Sequence, residues 1–420
     1  MNWESRILLE TKTNSSTRHT AAVAWSGKGK DMWCEMYMGG YYDRNFKIID
    51  VNSKRRKEGW FYSIPCNDQG FINKAAWITC KDKKYSTPKA MDSEIICILG
   101  KGIKNYKELP ANVLIRTLDK KDLTGYELIP FISTTDVSES VLYFLQYIYP
   151  DKELNIDDFQ NLLEKIVMKQ LPEDMQQILK CDPRTAFTIL REIGMLKNSG
   201  IFSDEYPKLD IEAVYHTPKI ITTFSYDFLL ADKEVGVVQS IICKKIKSIL
   251  IKSANKQPLL FYYRELQDLF NKETEQYYGM VRDAVYYFLT EGRDNMVMVL
   301  ANFQSFTQVP TSYSTHFQKL YAGGMPLREA ENLNNFATID KITLYKLTTC
   351  KAGMGIWISG GSYYYPIEVP PTMHKKKEEG FPVISYLISI YGSQDLSQKN
   401  WDNIFKMEIS QNIKDIMKID

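Results

Sequence analysis

An α/β protein with a mostly parallel central sheet is what this 420-residue chain predicts, on three observations. An apolar run at 21–24 enters a turn of Trp25, Ser26, Gly27, Lys28, Gly29, Lys30 and Asp31, then leaves it in helix-compatible residues. Short apolar runs of strand length recur and alternate with helical patterns, as strands joined by crossovers do. One such run, at 259–263, ends in the charged pair Arg264 and Glu265.

The first observation has the layout of a P-loop. A strand delivers a glycine-rich turn to a helix N-terminus, where backbone N–H groups cradle phosphates and a lysine reaches the β/γ oxygens. Against G-x-x-x-x-G-K-[ST], the turn reads A-x-x-x-x-G-K-D. Gly29 and Lys30 fit, Ala24 replaces the first glycine, and Asp31 puts an anion where a hydroxyl would hold Mg²⁺. Gly27, Gly29, Lys30 and Asp31 are therefore the candidate nucleotide-binding residues. The competing reading is a chance lysine-glycine turn.

In chain order, 45–50 is a short apolar run ending in Asp50, suited to a buried parallel strand. Lys54, Arg55, Arg56 and Lys57 follow as a cationic loop. Runs at 93–99 and 111–118 read as strands, joined by a Gly/Lys/Asn-rich connection at 100–105. Beyond 132 the pattern turns helical. Ser133 to Asp136 offer N-cap chemistry ahead of Val141, Leu142, Leu145 and Ile148 at helical spacing. Asn155 opens a helix carrying Phe159, Leu162, Leu163 and Ile166, and Asp182-Pro183 opens another with Ala186, Ile189, Leu190 and Ile193.

A strand is expected at 219–224, then a long helix at 235–252 with an apolar stripe from Val238 to Leu250. The run at 259–263 ending in Arg264 and Glu265 has the form of a Walker B strand, in which an aspartate orients the Mg²⁺ shell and a glutamate activates water. Here arginine occupies the aspartate position. A buried strand at 295–301 delivers Asn302, Phe303, Gln304 and Ser305, with Gln304 as a candidate polar sensor. A β-rich piece spans 353–371, and the tail carries Lys375, Lys376 and Lys377.

Bulk properties bound the function. Hydrophobic content of 44% and charged content of 25% are those of a soluble globular chain. A net charge of +2 gives no global pull toward nucleic acid. Seven cysteines stand apart, without a C-x-x-C pair, and four histidines are dispersed, which argues against a zinc site or disulfide framework and for a reducing, cytoplasmic compartment. No apolar run approaches a membrane span, and no signal-peptide core opens the chain.

The order of these pieces over residues 18–372 resembles the HerA/FtsK/VirB4 superfamily of hexameric, RecA-like P-loop ATPases that move DNA. The residues carrying it are Arg18, His19 and Thr20 before the P-loop; Ile48, Ile49 and Asp50; 220–224 before the long helix; and 259–265. Gly292 and Arg293, 301–305, 351–358, and Val369, Pro370 and Pro371 follow. The resemblance implies a RecA-like core in two halves, 1–132 and 201–372, around a helical insertion at 133–200. A basic linker and helical tail at 373–420 complete the expected organisation.

It further implies ATP as ligand, DNA as a partner, and a homo- or hetero-oligomeric ring of about six subunits. In such a ring Arg293 would face the neighbour's nucleotide, with Glu265 and Gln304 in catalytic roles. The departures sit at the metal shell. A carboxylate ~4 Å from phosphate oxygens costs about 4 kcal/mol at an effective dielectric of about 20. Arg264 would repel a divalent cation, so an Asp31–Arg264 ion pair in place of Mg²⁺ is the expected compensation. Three functions stay open: a pseudo-ATPase subunit beside an active paralogue, an active translocase with an unusual metal shell, and a viral or mobile-element structural protein.

Overall fold

A computed structural model describes residues 19–42, 44–51, 74–77, 89–98, 113–123, 155–173, 175, 179, 181–217, 220–226, 229, 231–368 and 372–373. The expected helix at 139–148, the cationic loop at 54–57, the 100–105 connection and the tail beyond 373 lie outside these residues.

The strands are β1 (Thr20–Val23), β2 (Lys47–Val51), β3 (Lys74–Trp77), β4 (Lys89–Ile98), β5 (Val113–Arg116), β6 (Ile221–Ser225), β7 (Leu259–Tyr263), β8 (Val297–Phe303), β9 (Lys319–Gly323), β10 (Met354–Ser359), β11 (Ser362–Glu368) and β12 (Thr372–Met373). They form one sheet in the order β11-β10-β9-β1-β8-β7-β2-β6-β4-β3-β12, with β5 on β4. From β9 to β4 every pairing is parallel. The five runs expected in a parallel sheet (near residues 21, 48, 221, 261 and 298) are all there. β8 lies between β1 and β7, so the P-loop strand and the strand ending in Arg264 and Glu265 share the sheet one strand apart.

The longer helices are α1 (Lys30–Tyr42), α2 (Ile156–Val167), α3 (Pro183–Lys197), α4 (Asp232–Lys252), α5 (Gly279–Glu291) and α6 (Lys341–Thr349). Their starts follow the sequence chemistry. Asn155 Oδ1 accepts from the Asp158 N–H while Asp158 returns a bond to the Asn155 N–H, a capping box. Asp182 caps α3 with Pro183 at its first position, and Glu234 Oε2 accepts from the Ala231 N–H at the head of α4.

Alternation along the strands gives the sheet two different faces. On one, Ala21, Val23, Val299, Ala301, Phe261 and Tyr263 join the aliphatic core with Val238 and Ile242 of α4 and Val285 and Phe288 of α5. On the other, α1 lies over β1, β8 and β2 with an aromatic underside. Trp33 stacks on Tyr37 at 4.8 Å and on Tyr321 at 5.3 Å. Tyr37 and Thr20 share a hydroxyl–hydroxyl bond of 3.0 Å. This face fixes α1, and hence Lys30 and Asp31, against the strand ends. No helix among the described residues is long and apolar enough to cross a membrane.

Candidate nucleotide site

At the C-terminal edge of the parallel strands, β1 gives way to the exposed loop 25–27 and then to α1. Gly27 (φ 75°) and Gly29 (φ 88°) take the left-handed backbone that the turn requires. The loop is pinned from the neighbouring strands: the Ala24 N–H donates to Phe303 O and the Trp25 N–H to Gly324 O. Lys28 Nζ donates to Cys350 O at 3.0 Å. The sequence-predicted strand, turn and helix form as one unit, and Lys30 stands at the helix N-terminus.

Lys30 is buried, and its Nζ lies 3.0 Å from Oε1 of the equally buried Glu265. Glu265 follows β7 with φ 52°, a left-handed conformation for a non-glycine residue. Four polar groups hold it there. Besides Lys30, Gln267 Nε2 donates to Oε2 at 2.6 Å and Gln304 Nε2 at 3.3 Å, while the Glu265 N–H donates to Asn302 Oδ1. Gln304, the candidate polar sensor, stands beside this glutamate. Gln267 Oε1 is buried without a hydrogen-bond partner among the described residues.

The expected Asp31–Arg264 ion pair is not the one that forms. Arg264 is paired instead with Asp50 of β2, donating from Nη2 at 2.9 Å and from Nε at 3.2 Å to Oδ2. Its guanidinium also lies over the Tyr262 ring, 5.0 Å from the centroid. The reason is register: Asp50 is the direct neighbour of Tyr262 on the adjacent parallel strand, so Arg264, two residues on, reaches it along the same face. Asp31 accepts a short bond from Asn302 Nδ2, which also donates to the Tyr262 hydroxyl at 2.8 Å. Asn302 thus joins Asp31, Tyr262 and the Glu265 backbone.

Asp50 is fully buried and also accepts from Thr223 Oγ1 at 3.3 Å. Burial pushes its carboxyl up to about 6, against the pull of Arg264 and of its hydrogen bonds. Asp50, Asn302, Tyr262 and Gln267 were not singled out as site residues from sequence. Asp50 had a signal, as a charge ending an apolar run, but its partner comes from an adjacent strand more than 200 residues away.

Two cofactors can be tested against this geometry. The loop, the helix N-terminus and Lys30 fit a phosphate chain, which has to displace Glu265 to reach Nζ. The residues do not fit a Mg²⁺ shell of the ordinary kind. A carboxylate bound to Asn302 replaces the hydroxyl, and a guanidinium committed to Asp50 replaces the acid. Among the described residues no group of three or more His, Cys, Asp or Glu is placed to hold a metal ion.

Arg293 lies elsewhere. It precedes β8, whereas the P-loop sits beyond the other end of that strand, and seven residues of strand separate the two edges by roughly 20 Å. Within one chain it does not reach the P-loop.

No family model matches this chain, and no curated protein matches it. Among solved structures it is similar to VirB4 of Thermoanaerobacter pseudethanolicus, with a TM-score of 0.53 and 13% identity over 89% of this chain and 91% of that one. It is equally similar to the bacterial conjugative coupling protein TrwB, with a TM-score of 0.53 and 10% identity over 90% of this chain and 93% of that one. TrwB in complex with ADP and Mg²⁺ aligns at a TM-score of 0.51 and 9% identity, over 87% and 88% of the two chains. In fold, this chain is similar to VirB4 and TrwB, with the RecA-like P-loop core on a mostly parallel sheet that the sequence led us to expect.

Proposed function

We propose that this chain is a catalytically degenerate P-loop subunit of a DNA-translocating or DNA-processing assembly, binding nucleotide without efficient hydrolysis. The observation that carries the reading is the state of the two metal-shell positions. Asp31 is an anion held by Asn302, and Arg264 is a cation held by Asp50. Arg264 cannot ligate Mg²⁺, and the Asp31 carboxylate is tied to Asn302 and sets an anion beside the phosphate cradle. The similarity to VirB4 and TrwB supports the assembly class, and the structure of TrwB with ADP and Mg²⁺ makes a nucleotide the natural ligand. The halves at 1–132 and 201–372 would form the core of a ring subunit around the 133–200 insertion, in a homo-oligomer or beside an active paralogue.

Equilibrium binding of labelled ATP with and without Mg²⁺, paired with a turnover assay, tests this. Binding that is indifferent to Mg²⁺, lost in Lys30→Ala and unaccompanied by turnover is the expected result. Mg²⁺-dependent turnover abolished by Lys30→Ala would overturn it. That outcome would select the second reading, an active ATPase, which the convergence of Lys30, Gln267 and Gln304 on Glu265 favours. No nucleotide binding at all would leave a structural protein that kept the fold. Light scattering at micromolar protein tests the ring, and a strict monomer with and without DNA counts against it.

A further inference from the structure

The sheet edge opposite the P-loop holds a cavity of about 420 Å³ lined by Arg293, Thr315, Phe317, Gln318, Asn335, Phe336, Gly360 and Gly361. Its volume is that of a small-ligand site, and its lining has four parts. Arg293 is exposed, and its guanidinium makes no hydrogen bond or ion pair among the described residues. The backbone beneath it is fixed, because the turn is tied by the Asn295 and Val297 N–H groups to Gly292 O and by the Met296 N–H to Arg293 O. Gln318 and Asn335 add neutral amide donors, while the Thr315 hydroxyl is committed to Thr311 O at 2.8 Å. Phe336, half-buried and packed 5.5 Å from Phe306, and the buried Phe317 supply the apolar wall.

The fourth part is the β10–β11 hairpin turn. Ser359 pairs with Ser362, so Gly360 (φ 60°) and Gly361 (φ 79°) form a two-residue loop whose N–H groups stand outside the ladder. Local electrostatics favour an anion. Buried His19 behind this edge is held neutral first by burial and then by the positive influence of His316 and Arg293. No carboxylate is among the lining residues, although Asp294 follows Arg293 in the turn.

We infer that this cavity binds a nucleoside phosphate, with the phosphate on Arg293 and the amide donors, and the base against Phe336. An unpaired guanidinium beside neutral donors recognises phosphate oxygens, and an aromatic face beside it accepts a base without sequence preference. The same chemistry arises from one unit of a single-stranded nucleic acid or from a free mononucleotide. The site is separate from the P-loop and independent of whether ATP is hydrolysed there. It deepens the proposed function by giving the nucleic-acid partner a place on the chain.

The test is fluorescence anisotropy of two probes on the full chain, a labelled twelve-residue oligothymidylate and labelled thymidine monophosphate, over a salt series. Arg293→Ala should weaken probe binding on the order of tenfold and reduce the salt slope by about one phosphate contact. Phe336→Leu should weaken it several-fold with the slope kept, and Asn335→Ala, which leaves the aromatic packing intact, should also weaken it. Lys30→Ala should leave it unchanged, which separates this site from the P-loop. Tighter, Arg293-dependent binding of the oligonucleotide identifies a strand as the source. Equal Arg293-dependent binding of both probes identifies a mononucleotide. Absence of binding, indifference to Arg293→Ala, or loss in Lys30→Ala overturns the proposal while leaving the P-loop reading to its own ATP test.

Discussion

The two edges of the parallel sheet treat charge in opposite ways. At the C-terminal edge the charges are matched: Lys30 with Glu265, Arg264 with Asp50, and Asp31 with an amide. At the N-terminal edge Arg293 lines an open cavity and its guanidinium has no hydrogen-bond or ion-pair partner among the described residues. A ligand at the first edge must replace contacts that already exist, whereas a ligand at the second adds contacts that are missing. Charge near a P-loop is therefore not itself a measure of readiness for an anion. What matters is whether the protein has already satisfied it, since separating a buried pair leaves an isolated charge in a low dielectric.

The largest expected effect breaks the matched edge. Asp50→Ala strands Arg264 in the core and should cost about 3–5 kcal/mol of stability, read from urea unfolding. Replacing both partners, as in Asp50→Leu with Arg264→Met, should cost far less. If the double variant is as unstable as the single one, the pair is not the source of the loss. Arg264→Asp, which would restore a Walker B acid, should also be strongly destabilising, because it sets a second carboxylate against buried Asp50.

Next in size is a pH effect at the other edge. His19 Nδ1 accepts the Val299 N–H at 3.0 Å, and burial, with His316 and Arg293 adding to it, lowers the ring to about 4 from 6.5. A depressed folded-state value means that its contribution is complete above pH 6.5 and lost as pH falls toward 4. The total is about 3 kcal/mol at 1.36 kcal/mol per unit. Asp50 works the other way: raised to about 6 from 3.8, its contribution is present at low pH and lost as pH rises through 6. The informative quantity is thus a difference. His19→Asn, which keeps an acceptor for Val299 but does not titrate, should be less acid-sensitive than the parent between pH 6.5 and 4. Parallel stability curves for the two proteins would remove His19 from the account.

A smaller effect sharpens the metal argument. Asp31→Thr removes the anion from the phosphate cradle and restores the hydroxyl, and should tighten ATP binding about tenfold, near 1.4 kcal/mol, most visibly with Mg²⁺ present. An unchanged affinity would show that Asp31 is no obstacle to the phosphate. The smallest effect lies beneath both edges. Tyr37→Phe deletes the hydroxyl bonded to Thr20 and should cost about 1 kcal/mol without altering ATP affinity.

The chain alone determined the elements and their kind. Alternation and apolar runs marked β1, β2, β6, β7 and β8, and the residues Asn155 and Asp182 marked helix starts, because these signals are local and each is carried within a few adjacent side chains. The P-loop was legible for the same reason, since its glycines, lysine and following helix are contiguous. Partner choice was not. Arg264 and Asp31 have opposite charges at neighbouring positions of a metal shell, yet strand register set Arg264 on Asp50 and the amide of Asn302 on Asp31. Which side chains meet depends on parallel strands far apart in sequence being laid side by side on one face of the sheet. The cavity at Arg293 is of the same kind: the turn at Arg293, the loop before β9, the pair Asn335 and Phe336 and a glycine hairpin, four separate segments, meet only because β8 and β9 begin and β10 ends at one edge.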